Sequence, residues 1–497
     1  MKNKLIKYLF LVLLGFVSCE ESLDVQNENQ PDFKKVYASG SDVENVASGL
    51  YNTFYNSSLS YYGTQMPMAV AADNASCSWG NSAMRDMSWE PRKAWNNTPG
   101  YSYGANTKYI FDNMYAVINT SSLILKAILN EGIEIGANGV DTDRTIAFCR
   151  FNMGVAYATL ALQFDQAFIV DEVIVIEDAV VEDASPYTEV AAKAIEYLNA
   201  AIQVSQSNDF TIPSGWMGTS GDLSSSTLAK YANSWAARLL SGLPRNSSQN
   251  TSVDWTKVLN YANNGLTEDF NVVNDGGANW YAMAQDYLSY PGWGIVDMYV
   301  VNKLDPTKPA HWDDDPAFPS PGESTNPDAD ARLYTDFEYL PSNWLRSDRG
   351  FYHWSTQRFS RRDNINSTNV GPLPEFSAAE NDLYKAEANA QSGNLAAAVS
   401  IINNGTRTSR GKLPAISANL ADIMGAIHHE RVIELMLVGS GLQFYEFRKN
   451  NFLQKGTPLH FPIPAKTLET FGVAQPFYTF GGPDGADGVN GSNGGWR

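Results

Sequence analysis

FSAAENDLYKAEANAQSGNLAAAVSIINNGTRTSRGKLP, residues 376–414, is the stretch whose reading decides the fold. It reads as two helices around a turn at Ser392–Gly393–Asn394, because serine, glycine and asparagine together punctuate a periodic pattern. Its alanines fall where the two helices would cross. Helix pairs of about 34 residues with small residues at the crossing read as tetratricopeptide-like units.

The same pattern recurs on either side. DRTIAFCRFNMGVAYATLALQF (143–164) sets Phe148, Phe151, Val155 and Leu162 on one helical face, with Asp141 or Asp143 as its cap. SPYTEVAAKAIEYLNAAIQVS (185–205) carries Pro186 in its first turn and continues with amphipathic spacing. SSSTLAKYANSWAARLLSGLP (224–244) and WTKVLNYANNGLT (255–267) make another pair, and NLADIMGAIHHERVIELMLVG (419–439) closes the set. The expectation is a mainly α chain with repeats near 110–205, 225–267 and 374–440, stacked as a curved scaffold. Residues 56–108, 205–224 and 268–373 interrupt it and are rich in Gly, Asn, Ser, Pro and aromatics. Irregular segments that long are usually functional. Residues 56–108 and 268–373 are therefore expected to form a loop-rich ligand lobe. GPDGADGVNGSNGG (482–495) repeats glycine every third residue but is too short and proline-poor for a collagen helix. Residues 481–497 are expected to be a flexible tail.

At the other end, Lys2, Lys4 and Lys7 precede an uncharged run from Tyr8 to Val17. That run is about half of what a helix needs to cross a bilayer, so residues 1–18 read as a secretory signal. FLVLLGFVSCEESLD (10–24) puts Ser18 before Cys19 and turns acidic at once. The arrangement resembles a bacterial lipobox, with Cys19 lipidated and Phe16 replacing the usual aliphatic residue. An ordinary signal peptide with an incidental cysteine is the alternative. Two or more acyl chains on Cys19 would hold the protein at a membrane without spanning it.

Without residues 1–18 the formal charge moves from −19 to −22. Such an acidic chain argues against a nucleic-acid partner, since phosphate binding relies on Lys and Arg. Cys77 and Cys149 could pair in an oxidising compartment, but two cysteines are no disulfide framework. Aromatics are plentiful, with 12 Trp, 25 Tyr and 23 Phe.

Over nearly its whole length the chain resembles the SusD/RagB family of outer-membrane glycan-binding lipoproteins. LDVQNENQPD after Cys19 looks like the family's post-anchor segment. FCRFNMGVAYATLALQFDQAFIVDE is similar to its first long repeat helix and exit strand, and YANSWAARLL to the alanine-rich helix ending in Ala237–Arg238. DADARLYTD resembles the Asp-Pro-Arg-Leu element with Ala331 for proline. The pair holding Ala379–Glu380 and Ala386–Glu387–Ala388, then HHERVIELMLVG, FYEFRKN and FPIPAKTLE, matches the closing signature. Val438–Gly439 stands where the family has Glu-Gly, and Glu446 where aspartate is common.

The resemblance implies a SusD-like fold and a non-catalytic protein, lipid-anchored at Cys19 on the exterior of the outer membrane. It implies a partner too, a SusC-like TonB-dependent transporter that the protein would cover as a lid while delivering oligosaccharide. Some members capture peptides, which is the second reading. A surface glycoside hydrolase is the third, and it would need two carboxylates across the scissile bond.

A sugar ring offers an apolar C–H face and a belt of hydroxyls, which half-wet aromatics and polar side chains bind respectively. DNASCSWGNSAMRDMSWEPRKAW (73–95) supplies Trp79, Trp89 and Trp95 with Asp73, Asn81 and Arg85. NWYAMAQDYLSYPGWG (279–294) supplies Trp280, Tyr281, Tyr287, Tyr290 and Trp293. Trp79, Trp89, Tyr290 and Trp293 are the foremost candidates, each with loop packing as its alternative. Trp312, Trp344 and Trp354 read as core. HHERVIE lacks the second histidine of a zinc helix motif, so its histidines are expected on a helix surface. HWDDDP and NPDADARLYTD carry carboxylates that could hold calcium without matching the twelve-residue calcium loop. No cofactor is expected.

Overall fold

The computed structural model describes residues 37–76, 79–172, 181–342, 346–350, 352–366, 368–485 and 487–497. The signal segment, Cys19, Cys77 and Trp344 lie outside them. Residues 39–497 form one unit.

The deciding segment folds as read. Ser377 accepts the Glu380 N–H and caps a helix over Ala378–Gln391, and a second helix follows over Leu395–Asn404. In chain order the principal helices are α1 (Leu50–Ser58), α2 (Gln65–Ala71), α3 (Gly104–Leu129), α4 (Thr142–Gln163), α5 (Tyr187–Ser207) and α6 (Ser225–Gly242). They continue as α7 (Trp255–Asn263), α8 (Met298–Leu304), α9 (Ala378–Gln391), α10 (Leu395–Asn404), α11 (Leu420–Ile433) and α12 (Leu442–Lys449). Neighbours pack in sequence: α3 on α4, α4 on α5, α5 on α6, α6 on α7, α7 on α9, and α9 on α10 and α11. Alanines at the crossings, such as Ala156, Ala158, Ala191 and Ala194, are fully buried or nearly so and let the helices approach closely. Tyr157 and Tyr197 stack across the α4–α5 contact with ring centroids 5.9 Å apart. Helix α4 is apolar enough for a membrane span, yet 89% of its most apolar window is buried. It is the central core helix. Cys149 on it is fully buried, and burial raises its thiol pKa well above the ordinary value.

Four antiparallel strand pairs occur among the described residues: Gln166–Phe168 (β1) with Ala184–Pro186 (β2), and Thr211–Ile212 (β3) with Leu223–Ser224 (β4). Phe270–Asp275 (β5) pairs with Val370–Phe376 (β8), and Phe337–Tyr339 (β6) with Gln357–Phe359 (β7). The β5–β8 pair explains how α7 and α9 can pack although more than a hundred residues separate them. The chain leaves the helical frame along β5 and returns beside it along β8, with Val272 opposite Leu373. Asn381 on α9 then donates its side-chain amide to the Ala262 and Leu266 carbonyls at 2.8 and 3.0 Å. The long insertion is thereby closed at its neck.

Buried ion pairs lock the frame. Arg238 on α6 is bidentate to Glu380 (2.7 and 2.8 Å) and reaches Glu375 at 2.8 Å. Arg431 bridges Glu387 and Glu446 at 2.6 and 2.7 Å, and Lys449 adds a 2.7 Å contact to Glu387. Arg332 is held by Asp330, Glu430 and Glu434. Breaking such a pair by removing one partner is costly because a buried charge is left alone. These are the residues of the quoted motifs, meeting one another across the fold. His428, expected on a helix surface, is instead buried against Tyr299 and Glu446, and His429 contacts Asp330 at 2.8 Å. Asp330 is thus committed to Arg332 and His429, and exposed Asp314 to Arg497 at 3.1 Å.

The C-terminal segment corrects its expectation. Residues 481–485 and 487–497 fold back on the chain. Gly482 donates to the Gly456 carbonyl, Gly456 to Ser492, and Ser492 to Thr457, all at 2.8 Å. The Trp496 indole N–H reaches Asp73 at 2.5 Å. Glycine leaves the backbone bare, so its N–H and C=O groups can pair with the 454–458 turn, and one tryptophan anchors the end.

Candidate functional site

Two loops are stitched together at the start of the insertion. After α2 the chain runs through Asn74–Ser76, and before α8 it returns through Ile295–Asp297. Ser76 donates to the Ile295 carbonyl at 2.9 Å and Asp297 to the Asn74 carbonyl at 3.1 Å, with Ala75 bridged to Val296. This pairing brings the Trp79 and Trp293 loops side by side. Between Tyr290 and Gly294 the chain turns tightly, since both Trp293 and Gly294 donate to the Tyr290 carbonyl at 3.0 and 2.8 Å. A side chain at Gly294 would run into the Leu288 backbone, so glycine is required there. The turn pushes Tyr290 and Trp293 outward.

The result is a continuous aromatic shelf. Trp293 lies 5.4 Å from Tyr290, 5.6 Å from Tyr287 and 5.6 Å from Trp79 between ring centroids. Tyr287 continues to Tyr61 at 5.2 Å, and Tyr61 to Tyr62 at 5.3 Å. Tyr62, Tyr290 and Trp293 are 59%, 51% and 37% exposed, whereas Tyr287 is buried beneath them as the base of the shelf. Beside Tyr290 and Trp293 opens a cleft of about 850 Å³, whose polar walls are Ser342, Asp363 and Asn366. Asp363 is oriented by Arg358 at 2.8 Å, and Asn366 by Ser289. Arg346 and Arg349 lie 5.0 and 5.3 Å over the Trp79 ring. Gly80, in the left-handed region at φ 68°, admits the Arg349 backbone against the Trp79 loop. Asn81 and Arg85 are half-buried near this edge, Arg85 beside Asp86 at 3.3 Å. Apolar planes flanked by oriented hydrogen-bonding groups suit a ligand with both an apolar face and hydroxyls.

Other candidates are placed elsewhere. Trp95 is 2% exposed, with its ring 4.9 Å from Phe461, and so anchors the loop in the core. Trp280 is buried against Tyr55 at 5.7 Å. Trp89 is half-buried in a separate group, 5.5 Å from Tyr352 and beneath Lys93 at 3.8 Å. Trp354 is buried, and Trp312 is half-buried 5.6 Å from Tyr352.

Asp73 was a candidate for bonding ligand hydroxyls, but it is fully buried and bound to Arg92 at 2.6 Å and to Trp496. With Asp297 and His353 it forms a group whose donor atoms lie within 4.8 Å of one another. This donor set does not fit a metal ion. Both Asp73 oxygens already accept from Arg92 and Trp496, and His353 Nδ1 sits 2.9 Å from Asp297. Burial alone would lower His353, but Asp297 and Asp73 outweigh it and push the imidazole up to about 9. The imidazole itself fills the space between the two carboxylates, 2.9 Å from Asp297 and 3.7 Å from Asp73.

Tyr61, Tyr62, Arg346, Arg349, Asp363 and Asn366 were absent from the sequence-derived candidates. The Tyr61–Tyr62–Gly63 run was the one local signal for the tyrosines; the others reach the shelf only through tertiary contact.

A scan against protein-family models matches none, and no curated protein matches the sequence. Solved structures do match. A SusD superfamily protein from Parabacteroides distasonis ATCC 8503 aligns over 88% of this chain and 99% of its own, with a TM-score of 0.59 at 13% identity. A SusD-like carbohydrate binding protein from Bacteroides fragilis NCTC 9343 aligns over 83% and 86%, with a TM-score of 0.56 at 17% identity. Another so described, from Bacteroides vulgatus ATCC 8482, aligns over 85% and 84%, with a TM-score of 0.54 at 17% identity. The chain has a SusD-like fold.

Proposed function

We propose that this protein is a SusD/RagB-family glycan-binding lipoprotein that captures oligosaccharide without chemistry and passes it to a SusC-like TonB-dependent transporter. One observation carries the reading: exposed Tyr290 and Trp293 stand over an open cleft walled by Ser342, Asp363 and Asn366. A pyranose can rest its C–H face on those rings while its hydroxyls meet the walls. The similarity in fold to SusD-like carbohydrate binding proteins supports the same reading. Lipidation of Cys19 and an outward-facing position on the outer membrane belong to the proposal, supported by the Ser18–Cys19–Glu20–Glu21 run.

Affinity electrophoresis in gels containing plant or host polysaccharides tests it. The protein is retarded by at least one of them and releases no reducing sugar, and Trp293→Ala weakens retardation at least tenfold. Binding to peptides and to no glycan would select the peptide reading, and measurable sugar release the hydrolase reading. Labelled palmitate attaches to the wild-type chain and not to Cys19→Ala.

A further inference from the structure

A second cleft, of about 560 Å³, lies between α8, α11, the end of α12 and the docked C-terminus, and shares no lining residue with the Tyr290–Trp293 cleft. Its walls bring Lys303 from α8, Met424 and His428 from α11, Asn450 and Phe452 after α12, and Trp496 from the C-terminal segment. The folding back of residues 487–497 therefore builds this site.

Lys303 is its distinguishing group. Elsewhere the buried basic residues are satisfied within the chain: Arg92, Arg238, Arg332, Arg431 and Lys449 on carboxylates, Arg245 and Arg448 on backbone carbonyls, and Arg362 on the Gln285 side chain, whereas Lys303 is half-buried. Lys303 has no ion-pair partner among the described residues; its ammonium sits 4.7 Å over the Tyr299 ring. Burial lowers its pKa, and no neighbouring carboxylate raises it. Glu446, the one carboxylate on the cleft wall among the described residues, is already neutralised. Its oxygens accept from Arg431 (2.7 Å), Asn450 (2.9 Å) and His428 (3.1 Å). His428 is in turn tied to the Tyr299 hydroxyl at 2.7 Å, and burial holds its pKa below the ordinary value. Trp496 is fixed by its indole bond to Asp73 and packs 4.7 Å from Tyr299, leaving it half-buried at the cleft. An uncompensated ammonium beside rigid aromatic surface asks for a compact anion attached to a ring with an apolar face. In a chain of net charge −19 such an anion is otherwise repelled.

We propose that this cleft is a separate binding site for a carboxylate-bearing sugar ring, the carboxylate on Lys303 and the ring against Trp496 and Phe452. That the ring is a sugar rests on the glycan reading above; the carboxylate requirement rests on Lys303 alone.

Isothermal titration of the purified full chain in detergent with D-glucuronate and with D-glucose tests it, using wild type, Lys303→Met, Lys303→Arg and Trp293→Ala. Glucuronate binds wild type, Lys303→Arg and Trp293→Ala alike, and at least tenfold more weakly to Lys303→Met, whose unfolding midpoint stays at the wild-type value. Glucose gives no Lys303-dependent heat. The proposal is overturned if glucuronate does not bind wild type, if Lys303→Met binds it normally, or if Trp293→Ala loses it. Glucuronate binding that persists while polysaccharide retardation is absent would sink the function proposed for the Tyr290–Trp293 cleft and leave this site standing.

Discussion

The helical frame and the inserted loops use their costly side chains in opposite ways. In the frame, Arg238 and Arg431 are driven inward and matched to carboxylates within 3 Å, so charge is turned into fixed geometry. In the loops, Tyr290 and Trp293 are pushed outward by a tight turn, so apolar surface is left in water. Charged groups are ordinarily outside and large aromatics inside. The frame's inversion is compensated by partners within the chain. On the shelf, Tyr290 and Trp293 pack on each other and on Tyr287 and Trp79 yet keep much of their surface in solvent, and that asymmetry makes the shelf the candidate binding surface.

Four substitutions break or sharpen this contrast, in order of decreasing effect on stability. Arg238→Met takes the guanidinium from both Glu375 and Glu380, leaving them only hydrogen bonds to uncharged donors such as Tyr231 and Tyr384, and is expected to cost roughly 3–5 kcal/mol, read by urea unfolding. Trp95→Ala, in the loop that also carries the shelf's Trp79, removes a buried ring and costs roughly 3 kcal/mol or more. It nevertheless leaves polysaccharide affinity per folded molecule unchanged. Equal loss of affinity in Trp95→Ala and Trp293→Ala would erase the distinction between anchor and shelf.

His353→Gln tests the buried pair at the base of the loops. Because the folded imidazole is raised from 6.5 to about 9, its contribution is present in full below about pH 6.5 and is lost as pH rises through about 9. The variant should be roughly 2–3 kcal/mol less stable than wild type at pH 6, with the gap closing by pH 10 in thermal melts. A gap that is constant with pH would mean that His353 is neutral. Trp293→Ala has the smallest effect on stability, under about 1 kcal/mol, since the ring is already in solvent.

The frame was legible from sequence because its signals are periodic. Ser377, the Ser392–Gly393–Asn394 turn and the alanine spacing translate directly into α9 and α10. The motifs around Ala237–Arg238, Glu387 and HHERVIE were also visible, but the pairing of Arg238 with Glu380, or Arg431 with Glu387, depends on elements far apart in the chain. The β5–β8 clasp was hidden for a local reason: Pro372 and Pro374 break the pattern of a strand. In irregular loops no periodicity separates inward from outward rings, so Trp95 and Trp280 looked the same as Trp79 and Trp293. The glycine-rich C-terminus was misread because its partners are backbone groups of the 454–458 turn and one distant carboxylate, Asp73.

The most direct test of the central claim is the polysaccharide affinity of Trp293→Ala, measured on protein whose unfolding midpoint matches wild type. The exposed shelf predicts at least a tenfold loss. Undiminished affinity would contradict it.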